Sequence, residues 1–266
     1  MELNDNNRIS PDSSTEKSTG DKSVKSSHAC RDEDNCNKKG LAGFICAYWH
    51  VFALFLIVLI FTVNNAWFIA NDKSPIVADM AEHLPYARRT YQTLFETSGV
   101  KDILFYRNSY EPLIHYNTAI MMRIFGVSIP VALWSLFPFS IIMILSIYGA
   151  GKHFGGRAGG IAAAMIGTAN CYFLDYSHLY MQDIAHAALT CLAFYLLLKS
   201  DAFKHKIWSW LFGFVFGLSL LARFGSLFYL IAPLVILFVF ISFRSIRALI
   251  PALASITAVV FMEKYF

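Results

Sequence analysis

The sequence predicts an all-α fold, a polytopic transmembrane helical bundle of about seven spans with a large first external loop carrying interfacial helices. Three observations predict it. Hydrophobic residues make up 56% of the chain, aromatic residues 16%, and the mean hydropathy is +0.50. The apolar residues gather in separate runs, several of them long enough to cross hydrocarbon, which takes about 17 or more residues. The short loops between the runs carry basic residues in an order that puts them all on one side of a membrane. A single-core soluble domain does not need so many separate apolar runs.

Taken in chain order, residues 1–40 are poor in apolar side chains and rich in Ser, Asp, Asn and Lys. Such a segment buries too little surface to offset its ordering entropy, so it is expected as a disordered cytoplasmic tail. It is too long and polar for the n-region of a signal peptide, so the first apolar run is expected to stay as an anchor. The rest, 41–266, reads as one transmembrane domain, incomplete at its C-terminus. Of five cysteines, Cys30 and Cys36 lie in the tail near His28, and Cys46, Cys171 and Cys191 lie in or near apolar runs. The spacing of the tail pair is not a zinc pattern, and no disulfide framework is implied. No metal is expected.

The apolar runs are 42–68, 129–149, 158–174, 183–199, 207–222, 226–243 and 247–263. The segment 112–125 is apolar on average but short, and it carries His115, Asn117 and Arg123. Whether it crosses decides the orientation of everything after it. The basic groups are Lys38/Lys39, Lys152/Arg157, Lys199/Lys204/Lys206 and Arg244/Arg247. All four share one side only if 112–125 does not cross, so it reads as an interfacial or re-entrant helix. The chain is then a multi-pass protein of the cell membrane with its N-terminus cytoplasmic, and 70–128 is one external loop. Asp79/Glu82, Asp183 and Arg223 converge on that external face. The glycines of "GAGKHFGGRAGG" (149–160) predict a tight inside turn with close helix packing. They lack the order of a phosphate-binding loop and follow no strand.

Four stretches can carry chemistry. In "VADMAEHLPYARR", Asp79, Glu82 and His83 share one helical face, which Pro85 is expected to end or kink. A carboxylate there suits a general base at the membrane surface, but a solvated face of mixed charge has the same spacing. Arg88 and Arg89 suit a phosphate by bidentate contact, or lipid headgroups. In "RNSYEPLIHYN", Glu111 before Pro112 suits the first turn of a helix, with His115 one turn on. In "LDYSHLYMQDIAHAALTCLAFYLLL", Asp183 and His186 open an apolar span, with Asp175 a second candidate in the same loop. An ionisable group there is either functional or a stabiliser of the helix N-terminus. In "GFVFGLSLLARFGSLFYL", Arg223 interrupts a nearly continuous apolar stretch at a turn. It either binds an anionic lipid phosphate or snorkels to headgroups.

In order along the chain, "ADMAEHL" with Asp79, "EPLIHY" at 111–116, "GKHFGGRAGG" at 151–160, "MQDIAHAALTCLAFYLLL" at 181–198 and "GLSLLARFG" at 217–225 resemble the N-terminal half of a C-type (GT-C) membrane glycosyltransferase. The likeness is to the polyprenyl-phosphate-sugar-dependent group, which includes protein O-mannosyltransferases and the aminoarabinose transferase of lipid A. It covers residues 42–245. The family's double proline is Glu111-Pro112 here, and His83-Leu84 replaces the aromatic after the first acid. Family chains are about twice as long, with more spans.

The resemblance implies an inverting transferase that moves a sugar from a polyprenyl-phosphate donor to an acceptor on the non-cytoplasmic face. Asp79 would be the general base, with Glu82 beside it, and Asp183 would position acceptor or donor. Arg223, Arg88 and Arg89 would hold the donor phosphate, with Glu111 and His115 lining the substrate side. The implied partners are a polyprenyl-phosphate-linked sugar, membrane lipids and a glycolipid, protein or polymer acceptor, with no cofactor and no nucleic acid. Two rivals stand beside it. A transporter or flippase would cluster its charges near the bilayer midplane, and a silent, truncated membrane scaffold would need none.

Overall fold

The computed structural model describes residues 41–71, 78–96 and 112–241, with single positions at 250, 254 and 257. The expected tail 1–40, Glu111 and nearly all of the expected last span lie outside the described residues. Within them every regular element is an α-helix.

Helix α1, Leu41–Asn71, has no proline or glycine beyond its first turn. Two of its polar side chains bond back to the helix itself. Thr62 Oγ1 donates to the Val58 carbonyl at 2.7 Å and Asn65 Nδ2 to the Phe61 carbonyl at 3.1 Å. That satisfies their polar atoms without a partner helix, as a lipid-facing segment requires. Phe52, Phe55, Ile60, Val63 and Trp67 stand exposed around it, far more apolar surface than a soluble helix shows to water. One narrow stripe packs, where Phe61 stacks on Phe137 and Phe173.

Helix α2, Ala78–Phe95, continues through Pro85, so the helix does not end at that proline. Pro85 and Ala81, whose carbonyl loses its hydrogen bond, are both exposed, so water or headgroups reach the gap. Burial of Met80, His83, Ala87 and Thr90 holds the other face down. That face lies on α3, Leu113–Phe125, which buries Ile114, His115, Thr118, Ala119 and Met122 at helical spacing. At 13 residues, α3 is about 20 Å long, too short to cross the hydrocarbon upright.

Helix α4, Ile129–Thr168, opens on Ser128, whose hydroxyl accepts from the Val131 amide, with a proline in its first turn. Its 40 residues do not run straight. At Gly155 (φ −121°, ψ 18°) and Gly156 (φ 64°, ψ −161°) the backbone leaves the helical region. The two arms, 129–154 and 157–168, then fold back on one another. A Cβ on Gly151 would lie 2.5 Å from the Ala163 Cβ and 2.7 Å from the Gly159 carbonyl oxygen. One on Gly167 would lie 3.0 Å from Ile147. Residues 20 apart in a straight helix are about 30 Å apart, so the hairpin is unambiguous. The glycine cluster makes a tight turn with close packing, as its sequence predicts.

Helix α5, Cys171–His178, is capped by Asn170, whose side chain accepts from the Phe173 amide. Helix α6, Gln182–Lys199, is the hub, with Ala185, Ala188 and Ala193 fully buried and α4 and α7 packed against it. Helices α7, Lys206–Ala222, and α8, Ser226–Ile241, complete the bundle. By length and composition two helices qualify as membrane spans, Ala47–Asn71 and Ile129–Thr168. Helices α7 and the first part of α8 are apolar but shorter.

The bundle has two chemically distinct ends. At one, Lys152 and Arg157 of the α4 turn lie within electrostatic reach of His50 on α1, and His153 reaches Asp201. There Lys199 sits over the rings of Tyr195 and Trp208. At the other end, Asn64 and Phe68 of α1 meet His178, and Asp183 meets Arg223. Two of the basic groups that sequence places on one side, Lys152/Arg157 and Lys199/Lys204/Lys206, therefore share one end of the bundle.

Candidate active site

Asp183 lies in the first turn of α6, whose N-cap residue, Met181, supplies no side-chain hydrogen bond. The carboxylate therefore provides the negative charge that the helix N-terminus favours. Arg223 caps the C-terminus of α7, its amide donating to the Ser219 carbonyl. Its own carbonyl accepts from the amide and hydroxyl of Ser226 as α8 begins. The backbone at Arg223 is thus held from both sides while the side chain projects. Its guanidinium Nη1 donates to Oδ1 of Asp183 in an ion pair that closes α6 against the α7–α8 turn. The pair is reachable, with side-chain exposures of 51% for Arg223 and 32% for Asp183. Beneath it the His186 ring is buried, next to Gly225 and facing Tyr229.

Sequence reasoning did not find the polar chain that roots this region. Tyr180, just before α6 and fully buried, donates its phenol to Thr118 Oγ1 at 2.7 Å. Thr118 is 2.6 Å from Ser135 Oγ, which donates to the Ala132 carbonyl. Asn117 donates to the Ser135 carbonyl at 2.6 Å. The chain ties α3 to the start of α4 and to the residue three positions before Asp183. Burial pushes the Tyr180 phenol up, with the Thr118 hydrogen bond opposing. The available signal was the spacing of His115 and Thr118 at i and i+3, which places two polar groups on the buried face of α3.

One turn back on α3, His115 is fully buried, its Nε2 3.3 Å from Nδ1 of His83 on α2. Burial, and then the neighbouring His83 ring, lower His115 to about 3. His115 is accordingly neutral and buried in the α2–α3 seam. Asp79 and Glu82 are both exposed on α2. The Asp79 side chain makes no ion pair or hydrogen bond with a described residue. Arg88 and Arg89 face different surroundings. Arg88 lines an open cleft of about 550 Å³ between α2 and the α3–α4 junction, with Leu84, Pro85, Met122, Val127 and Ile129. Arg89 lies 5.8 Å over the Tyr86 ring. Of the expected site residues, then, Asp183 and Arg223 are in contact. Asp79, Glu82, Arg88, Arg89 and His115 belong to the α2–α3 layer beside them, and Glu111 lies outside the described residues. Among the described residues no group of three metal-ligating side chains gathers.

The geometry offers a cation paired with a carboxylate at the end of an apolar bundle, next to a layer of short amphipathic helices with exposed acids. No curated protein and no solved structure matches the chain. A family model described as dolichyl-phosphate-mannose-protein mannosyltransferase matches residues 109–263, more than half of the sequence and everything from α3 through α8. Membership carries the reading of a membrane glycosyltransferase. The motifs, the all-helical bundle and this match agree, and the chain belongs to the dolichyl-phosphate-mannose-protein mannosyltransferase family.

Proposed function

We propose that the chain is the membrane-embedded catalytic part of an inverting glycosyltransferase. It takes a sugar from a polyprenyl-phosphate donor and delivers it to an acceptor hydroxyl or amine on the non-cytoplasmic face. The observation that carries this reading is the Asp183–Arg223 pair, which sits at a helix end inside the family-matched segment. In this reading Arg223 meets the donor phosphate. The bond from the anomeric carbon to the phosphate oxygen breaks as the acceptor attacks, and the lipid leaves as a phosphate monoester. A cation fixed where that charge develops lowers the barrier. Asp79 accepts the acceptor's proton as general base, supported by its exposure on α2 and its place in the ordered motifs.

The basic end of the bundle faces the cytoplasm in this reading. The first arm of α4, the segment 158–174 made by its second arm and the start of α5, and α1, α6, α7, α8 and 247–263 make the seven crossings. A transporter would carry its charges near the bilayer midplane; Asp183 and Arg223 lie at helix ends instead. The test is sugar transfer from a short polyprenyl-phosphate-linked mannose by membranes containing the whole gene product. Asp79→Asn is expected to lower kcat at least about a hundredfold, the scale of general base catalysis. Full activity in that variant would remove Asp79 from the role.

A further inference from the structure

Resting on the donor-phosphate reading of Arg223, we propose that Asp183 acts by ion-pair exchange, competing with lipid phosphate for the Arg223 guanidinium and so driving product release. Two ion pairs are seen between described residues, this one and the local Lys204–Asp201 pair. Of these two, the Asp183–Arg223 pair is the one that joins separate elements, and it is half open to its surroundings. An ion pair so exposed is weak, and an anionic ligand can displace one partner. Both residues are prepared for the exchange. Asp183, once released, remains at the positive N-terminus of α6. Arg223 is pinned through its backbone by Ser219 and Ser226, so its side chain can swing while the turn stays in place.

The charges set the order of events. The donor is a phosphate diester with one negative charge, equal to that of the Asp183 carboxylate. The two compete evenly, and the donor binds without being trapped. Transfer breaks the anomeric C–O bond, forms the new bond to the acceptor oxygen or nitrogen, and sends the acceptor's proton to the base. The lipid is left as a monoester carrying about −1.5 to −2 charges, which holds Arg223 more tightly than the donor did. Asp183 is the group that takes Arg223 back. It is a positioning residue, acting on the lipid through Arg223.

The experiment is binding of farnesyl phosphate, a monoester, and of its methyl diester to the purified full chain in nanodiscs, followed by steady-state transfer. Asp183→Asn should bind the monoester about two- to fivefold more tightly, the upper part of the range an exposed ion pair can hide. Its kcat should fall with KM for donor, and product inhibition should sharpen. Arg223→Gln should lose monoester binding, and Asp183→Asn combined with Arg223→Gln should bind no better than Arg223→Gln alone. Asp183→Glu, which keeps the charge, should restore wild-type affinity and serves as the folding control. Unchanged monoester affinity in Asp183→Asn, with binding lost in Arg223→Gln, overturns the exchange and leaves the donor-phosphate reading standing. Unchanged binding in Arg223→Gln overturns both. Inorganic phosphate displacing farnesyl phosphate at equal concentration would assign the site to free phosphate and overturn the lipid step.

Discussion

His83 on α2 and His115 on α3 meet ring to ring in a buried seam, Nδ1 to Nε2 at 3.3 Å. That distance fits one shared proton; two imidazolium rings could not occupy it. His115 falls to about 3 in the fold from an ordinary 6.5. Between those values the unfolded chain binds a proton that the folded chain refuses. The contribution is therefore fully present above the unfolded value and is lost as pH falls through the window, by up to about 1.4 kcal/mol per pH unit. Thermal midpoints of the purified protein in detergent, taken from pH 7.5 down to 5, should fall. In His115→Gln the fall should be shallower, because the group that refuses the proton is gone. Identical slopes in the two proteins would place the acid sensitivity elsewhere.

The buried chain from Tyr180 through Thr118 to Ser135 predicts an order of damage. Tyr180→Phe removes one donor and leaves Thr118 bonded to Ser135. Its cost is about 1 kcal/mol, the net worth of one hydrogen bond. Thr118→Val removes the middle member and strands a buried phenol, which costs about 1–3 kcal/mol. The midpoint should therefore drop further in Thr118→Val than in Tyr180→Phe. The reverse order would show that Thr118 is not the junction.

What could be read from sequence followed from local chemistry. The apolar runs became α1, the two arms of α4, α6, α7 and α8, because length and hydropathy are properties of contiguous residues. The glycine turn was legible because only glycine reaches φ 64° without strain. The helix does not end at Pro85, since the local penalty of the proline is opposed by packing of α2 on α3 that no local pattern displays. The Asp183–Arg223 contact joins residues 40 apart, and its two members were named separately as candidates without being paired. The hydroxyl chain was missed for a related reason. Ser, Thr and Tyr scattered through apolar runs carry no signature until the tertiary fold aligns them.

Topology gives a prediction that depends on no catalytic assignment. Cys171 is exposed at the start of α5, at the bundle end where Asn64 meets His178. Lys204 is exposed at the opposite end, in the turn between α6 and α7. A variant retaining only Cys171 should react with a membrane-impermeant maleimide added outside intact cells. One with its only cysteine at Lys204→Cys should react only after permeabilisation. Labelling of both from one side would break the antiparallel bundle as a membrane arrangement.

The α4 hairpin makes the sharpest structural prediction, because its glycines differ in what surrounds them. A Cβ at Gly151 would stand 2.5 Å from the Ala163 Cβ and 2.7 Å from a backbone carbonyl, so the arms must move apart to admit it. Gly151→Ala should destabilise by about 1–3 kcal/mol, the scale of overpacking. Gly156 has open space around it but a φ of +64° with ψ −161°, so Gly156→Ala meets backbone strain alone, about 1–3 kcal/mol. Gly155 has open space and a negative φ. Gly155→Ala should be near neutral or slightly stabilising, since alanine narrows the unfolded ensemble. Midpoints for the three variants should therefore separate Gly155→Ala from the other two. A large loss at Gly155 would mean that the turn is not built as described. No loss at Gly151 would mean that the arms do not close, and the α4 turn would then be no fixed link between the basic end and the Asp183 end of the bundle.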